Sequence, residues 1–224
     1  MKPTKAQPIS YVHYRNLRPG DYRKGNLLAL IIALPLSVGI YSFFNKLAFF
    51  LRSDYLQAQT WNPKFNLDII IGLLLVTIAV IASHESIHGL LLWRFTGEQP
   101  NIGIQFPGIG VEAPDWYIPR NNLIIIGLAP LIVLTIIGIA LLFTLSPHLI
   151  GTVAIGLTIN IAGSYLDIAV ALYCYLLPKS SFINPAHGYA AIFIKEREDL
   201  YDQTTTWKSR LRNVIEKEIF PKLV

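Results

Sequence analysis

The amino-acid sequence predicts an all-α membrane protein with four transmembrane helices. The first indication is composition, because 53% of the residues are hydrophobic and only 15% are charged, whereas soluble domains carry about 25% charge. The second is a run from Asn121 to Leu166 without Asp, Glu, Lys or Arg. One helical crossing takes about 20 residues, so this run is long enough for two. The third is that Lys and Arg gather at both ends of the chain.

Apolar segments mark the positions of the four helices. We predict spans over Leu27 to Phe44, Leu67 to Trp93, Asn121 to Leu145, and Leu149 to Leu177. Pro35 and Pro130 fall inside two of them and predict kinks, because neighbouring helices can satisfy the backbone groups that a proline frees. The expected domains are an N-terminal tail over 1–26, a membrane domain over 27–177 and a C-terminal tail over 178–224.

The distribution of basic residues predicts the orientation of the chain. Six Lys and Arg residues precede the first span and eight follow the fourth, against three and two in the connectors after the first and second spans. Basic segments stay on the cytosolic side of a membrane, so both tails are expected in the cytosol, which agrees with an even number of crossings. This arrangement accounts for the net charge of +5. We therefore expect membrane lipid, and no nucleic acid, beside these residues.

Two polar segments are predicted to deviate from the helical pattern. The connector from Gly97 to Arg120 is rich in Gly and Pro and alternates apolar residues from Asn101 to Phe106, which favours a short β-hairpin or an extended loop. In the small cytosolic C-terminal tail, Gly188 to Ile194 is predicted as a short strand. Thr206 to Ile219 fits an amphipathic helix, which either rests on anionic lipid or packs against its own domain.

The most specific pattern in the chain is His84-Glu85-Ser86-Ile87-His88, which lies in the second predicted span. An H-E-x-x-H pattern is the signature of zinc proteases, and random order of this composition gives it with a probability of roughly 0.3%. On a helix the two histidines share one face, with Cβ atoms about 5 to 6 Å apart, so they can bind one zinc ion. Glu85 is then placed to act as general base on water at the metal.

Asp167 is the predicted third zinc ligand, since catalytic zinc sites usually have three protein ligands and one open position. It is the only Asp, Glu, Lys or Arg between Arg120 and Lys179. A carboxylate within a membrane costs roughly 2.5 to 3.5 kcal/mol, which a metal ion would offset. The histidines lie about 12 Å before the cytosolic end of their span, and Asp167 about 18 Å before the end of its own, so similar depths are expected. The alternative is an Asp167 carboxylate hydrogen-bonded inside the bundle.

Asn160 and Ser164 share one helical face with Asp167, because their spacing is four and then three residues. An Asn amide beside a metal can hold the substrate or stabilise an oxyanion. Alternatively, Asn160 belongs to a polar helix-packing patch, which is the better interpretation for Ser164.

Three elements, in order along the chain, carry a resemblance to a known family: His84 to Gly89, Leu128 to Pro130, and Asn160 to Asp167. Together they resemble the site-2 protease group of intramembrane zinc metalloproteases, and more closely a smaller bacterial family described as putative zincin peptidases. The resemblance implies that the connector after the H-E-x-x-H span guides an unwound substrate. Asp167 is followed by Ile168, where the site-2 proteases usually have Gly, and no PDZ-like domain is recognised.

The same resemblance implies a role for each candidate residue. His84, His88 and Asp167 would bind Zn²⁺, Glu85 would activate water, and Asn160 would assist. These roles predict an intramembrane zinc metalloprotease that hydrolyses a peptide or transmembrane protein substrate near the cytosolic side.

Two other functions fit parts of the sequence. A non-catalytic zinc-binding scaffold or pseudoprotease is the first alternative, but zinc binding alone does not require Glu85. A metal or proton transporter is the second, and it predicts further ionisable residues in the outer half of the spans. His148, at the rim, is the one that the sequence offers there.

Overall fold

The computed structural model describes residues 1–17, 23–52, 54, 67–105, 108–186, 189–195, 211 and 214. This part of the chain is mostly helical, with α1 (Arg23–Leu51), α2 (Leu67–Thr96), α3 (Arg120–Thr144), α4 (Ile150–Gly163) and α5 (Tyr165–Leu176). Its strands are β1 (Tyr11–Leu17), β2 (Asn101–Gln105), β3 (Gly108–Glu112), β4 (Ile118–Pro119), β5 (Phe182–Ala186) and β6 (Tyr189–Lys195). The predicted amphipathic helix over Thr206 to Ile219 lies outside the described residues, except for Leu211 and Val214.

Three helical segments are long and apolar enough to cross a membrane, namely Ile70–Thr96, Arg120–Thr144 and Pro147–Leu176. They correspond to the second, third and fourth predicted spans, and their length and composition indicate a membrane protein. The first predicted span falls within α1, whose described side chains begin at Pro35. Its crossing of a membrane, and the cytosolic location of both tails, stay predictions.

The described chain divides into two compact units. The first comprises residues 1–28, 87–129 and 166–224, and it contains the described strands and α5. The second comprises residues 29–86 and 130–165, and it contains α4 and most of α1. Helices α2 and α3 each contribute residues to both units.

An antiparallel four-stranded sheet in the first unit has the order β1-β6-β5-β4. Alternate residues of β6 are buried on opposite faces: Ile192 and Ile194 belong to a cluster that includes α5 residues, and Phe193 packs with Phe182. A strand covered on both faces is apolar along its covered length, as β6 is from Ala190 to Ile194. The all-α prediction does not hold for this part of the chain, where β6 alone was expected as a strand.

The predicted β-hairpin after the second span is confirmed. Strands β2 and β3 form a separate two-stranded antiparallel sheet, with Asn101 opposite Glu112 and Gln105 opposite Gly108. Helix α2 ends just before it, where Gly97 adopts φ +78° and donates its N–H to the Trp93 carbonyl at 2.7 Å. Glycine suits this helix cap because other side chains are strained at positive φ.

The fourth predicted span is interrupted where a continuous helix was expected. Helix α4 ends at Gly163, Ser164 caps it, and α5 begins at Tyr165. The Ser164 N–H and hydroxyl both donate to the Asn160 carbonyl, at 3.0 and 2.7 Å. Gly-Ser pairs are a recognised cause of sharp helix kinks, so this pair explains the break.

The buried side chain of Arg120 stabilises the other end of α5. Its guanidinium donates to the carbonyls of Cys174, Tyr175 and Leu177, and only 6% of the residue is exposed. The last carbonyls of a helix have no partner within the helix, and a positive charge there also complements the helix dipole. Arg120 therefore fastens the start of α3 to the end of α5 within the first unit.

The N-terminal segment is attached to the loop that follows the hairpin. Thr4 and Tyr117 exchange backbone hydrogen bonds of 3.1 and 2.8 Å, and Lys5 forms an ion pair of 2.5 Å with Glu98. The hydrogen bonds from Lys5 and from the Trp116 indole hold the pKa of Glu98 below its usual value. The segment before β1 is thus held to the first unit by both backbone and side-chain contacts.

Candidate metal centre

The H-E-x-x-H residues lie in the second half of α2 and form a compact donor group. Each of His84, Glu85 and His88 has one ligand atom within 4.8 Å of those of the other two. All three side chains are partly buried. The helix repeat causes this grouping, because side chains four residues apart lie on one face. Among the described residues, these three side chains on one helix form a group that could hold a metal ion.

A hydrogen bond to α3 fixes the ring of His88. Its Nδ1 lies 2.9 Å from the carbonyl oxygen of Ile126, and since a carbonyl can only accept, Nδ1 carries the proton. Pro130 follows Ile126 by four residues within α3 and has no N–H to donate to that carbonyl. Pro130 therefore leaves the Ile126 carbonyl available to His88. This bond leaves Nε2 with the lone pair that a metal requires.

The Nε2 atom of His88 faces Asp167, and Nε2 and Oδ1 are 3.6 Å apart. This separation exceeds the hydrogen-bond range of about 2.7 to 3.2 Å. It is close to the separation of about 3.4 Å between two ligand atoms bound at roughly 2.1 Å to one tetrahedral ion. The His88 side chain is 13% exposed and that of Asp167 is 27% exposed. The pair is therefore enclosed but still open to a ligand.

The break between α4 and α5 places Asp167 in the first turn of a helix. Peptide dipoles and free N–H groups make a helix N-terminus favourable for a negative charge. In an uninterrupted helix over the same residues Asp167 would lie mid-helix, far from any terminus. The Gly163-Ser164 pair therefore places the Asp167 side chain beside a helix N-terminus.

A second hydrogen-bond network, within the second unit, positions His84. Its Nδ1 lies 3.2 Å from Oδ1 of Asn160, which is buried with 3% exposure. The Asn160 amide nitrogen is in turn 3.4 Å from the Leu131 carbonyl and 3.4 Å from the Thr135 hydroxyl. Because the NH₂ group of Asn160 faces α3, its amide oxygen is left to accept the Nδ1 proton of His84. Nε2 of His84 therefore keeps its lone pair. Both histidines are thus held through Nδ1.

These residues fit a zinc ion by the chemistry of their donors. Zinc is bound by imidazole nitrogen and carboxylate oxygen, and metal-binding histidines nearly always donate their other N–H to a carbonyl or carboxylate. His88 donates to a main-chain carbonyl and His84 to a side-chain amide oxygen. Two imidazoles oriented in this way, with Asp167 beside one of them, form a donor set suited to zinc.

The structure places the predicted residues close to one another in two groups, His84 with Asn160 and His88 with Asp167. Glu85 lies between the two histidines in sequence and joins their donor group. Ile126, Leu131 and Thr135 also contact these residues and were not predicted from the sequence. For Ile126 a signal existed, since a proline inside a helix identifies the freed carbonyl four residues earlier. For the other two there was no comparable signal.

Comparison with protein families matched residues 77–182 to a family described as putative zincin peptidase. The matched segment is slightly less than half of the chain and contains all five predicted site residues. Comparisons with curated proteins and with solved structures gave no match. The family match supports a zincin-like relationship, which implies zinc and suggests metallopeptidase activity.

Proposed function

We propose that this chain is an intramembrane zinc metalloprotease that hydrolyses peptide bonds of a membrane-associated substrate near the cytosolic side. The observation that carries the proposal is the donor group of His84, Glu85 and His88 on a helix of membrane-spanning length. The match to the zincin-like family over the same segment supports it.

The proposed zinc ligands are His84, His88 and Asp167. A bound zinc ion would supply Lewis acidity and lower the pKa of its water to about 7. Asp167 contributes a negative charge that partly compensates the ion in an apolar environment. The Nδ1 hydrogen bonds of the two histidines keep both rings in the tautomer that binds through Nε2.

Glu85 is the proposed general base and acid. It is adjacent to His84 and one helical turn from His88, and its carboxylate belongs to the same donor group. Glu85 would take a proton from the attacking water and deliver it to the leaving amine nitrogen, as general acid–base catalysis requires. Binding of zinc alone would not need it.

Asn160 is proposed as a positioning residue for His84. Its NH₂ group is directed to Leu131 and Thr135, and its oxygen to His84. An amide held in this way is not available to stabilise an oxyanion with its N–H groups. Asn160 would therefore act by orienting the imidazole of His84, and not by contacting the substrate.

The β2–β3 hairpin is the proposed guide for the substrate. A substrate must be extended at the scissile bond, because a helix hides its carbonyls in its own hydrogen bonds. A two-stranded sheet offers an edge to which an extended peptide can add. The hairpin lies against the motif, since a Cβ atom placed on Gly89 would meet Cγ1 of Val111 at 3.5 Å.

The test combines metal analysis with a catalytic variant. Purified full-length protein is expected to contain one zinc per chain and to cleave some members of a panel of single-span peptides in proteoliposomes. Glu85→Gln should retain the zinc and lose cleavage by about 100-fold or more. Arg94→Gln, at an exposed position in the last turn of the same helix, serves as control. Zinc without cleavage in the wild type would favour the non-catalytic scaffold. Unchanged cleavage by Glu85→Gln would exclude Glu85 as the base.

A further inference from the structure

A cavity of about 300 Å³ lies within the second unit, among α2, α3 and α4. Its walls are mostly apolar, and the residues that matter here are Val76, Ala79, Ser83, Gly138, Gly156 and Asn160. A volume of this size is at the lower end of the range of small-ligand sites. The described residues that line it carry no charge.

One end of the cavity lies next to His84. Asn160 lines the cavity and also accepts the hydrogen bond from His84. Ser83, which immediately precedes His84, lines it as well. From Ser83 to Val76 the wall follows α2 for about 10 Å, at roughly 1.5 Å per residue. The cavity therefore extends from the neighbourhood of His84 into apolar surroundings.

Small residues leave this space open. A Cβ atom on Gly156 would meet Val80 at 3.5 Å and Val76 at 3.7 Å, which are ordinary contact distances. A side chain could thus be placed at Gly156 without a clash at its Cβ and would project toward the cavity. At Gly138, by contrast, a Cβ would come to 2.5 Å from Cδ2 of Leu157, so a side chain there would require Leu157 to move.

We propose that this cavity binds a bulky apolar side chain of the substrate, next to the peptide bond that is cleaved. The inference rests on the proposed function, because His84 defines where that bond would lie. Mostly apolar walls with a few polar groups at one end are the usual form of a site that orients a ligand. An acyl chain of a phospholipid is the competing occupant, and the experiment below distinguishes it from a substrate side chain.

The test compares two hydroxamate probes, which chelate zinc and differ only in the side chain: N-acetyl-phenylalanine hydroxamate and N-acetyl-glycine hydroxamate. Their dissociation constants are measured by calorimetry on zinc-loaded full-length protein in detergent. The wild type should prefer the phenylalanine probe by about 10- to 100-fold. In Gly156→Leu the preference should fall to about threefold or less, because the new side chain occupies the cavity.

Gly151→Leu is the matched control, since Gly151 lies in the same helix and a Cβ there has nothing within 4 Å. It should keep the preference of the wild type. Ala79→Leu narrows the cavity from α2 and replaces Gly156→Leu if that variant does not fold. The zinc content of each variant is measured alongside.

The outcomes separate this inference from the proposed function. The same preference in the wild type and the filled variants would overturn the cavity assignment alone. Loss of a co-purified phospholipid from Gly156→Leu in native mass spectrometry, with the preference unchanged, would overturn it in favour of an acyl chain. If neither probe binds zinc-loaded wild type, the proposed function fails and the cavity assignment with it.

Discussion

His88 donates its Nδ1 proton to the carbonyl of Ile126, a main-chain group that an ordinary α-helix would not offer. The carbonyl is free for this bond because Pro130, four residues later, has no N–H. The interruption of one hydrogen bond in α3 is therefore coupled to the orientation of one imidazole on α2. Proline is normally unfavourable within a helix, and here it frees a carbonyl that orients His88 in the candidate metal centre.

Pro130→Ala should weaken zinc binding while it stabilises α3. The alanine N–H would compete with His88 for the Ile126 carbonyl, and loss of such an outer partner weakens metal binding by about 10- to 100-fold. The apo protein should unfold at a higher temperature, because an internal proline costs about 3 kcal/mol relative to alanine. Both quantities are measured on the same protein, by zinc titration and thermal unfolding. Pro35→Ala in α1 is the control. Unchanged zinc affinity in Pro130→Ala would contradict this role of the proline.

Asp167→Ala should reduce zinc affinity by more than about 100-fold, whereas loss of a residue that only hydrogen-bonds to a metal ligand reduces it by about 10- to 100-fold. The reason is that two imidazoles without the carboxylate are an incomplete ligand set for a catalytic zinc ion. Metal content after dialysis, together with circular dichroism to verify the fold, measures the effect. Asp115→Ala serves as control because Asp115 is exposed and outside the donor group. Full zinc content in Asp167→Ala would remove the residue from the proposed site.

Arg120→Met should destabilise the protein by about 1.5 to 3 kcal/mol, the usual value for hydrogen bonds to a charged group. Methionine keeps much of the apolar contact but leaves the carbonyls of Cys174 and Tyr175 without the guanidinium. Thermal unfolding in detergent measures the loss. The exposed Arg94, in the last turn of α2, provides the control variant Arg94→Met. Equal melting temperatures for the two variants would show that the contacts of Arg120 are not stabilising.

The donor residues could be predicted from the sequence because they form a short local motif or are the only charged residue in a long apolar segment. The spacing of His84 and His88 determines a helical face, and Asp167 is conspicuous as a lone charge in an apolar segment. Counting residues from the ends of two spans predicted that they lie at similar depth, and His88 and Asp167 are 3.6 Å apart. Their role as zinc ligands stays a prediction.

Other parts of the fold have no such local signal. Strand β1 pairs with β6, and Tyr11 lies opposite Lys195, so nearly the whole chain separates two partners that neither segment reveals alone. The break at Ser164 lies in an uncharged run where hydrophobic periodicity continues on both sides. The Gly-Ser pair there is equally compatible with close packing of a continuous helix. Only the arrangement in space distinguishes these possibilities.

Cys174 is the one cysteine of the chain and is fully buried. A water-soluble maleimide should consequently leave the native protein unlabelled, so the wild type serves as the negative control. A thiol introduced at exposed Lys5 or at exposed Ser146 would be the sole reactive group on the surface. Labelling of sealed vesicles before and after permeabilisation then reports on which side of the membrane the N-terminal segment and the connector at Ser146 lie, and no cysteine-free variant has to be made first.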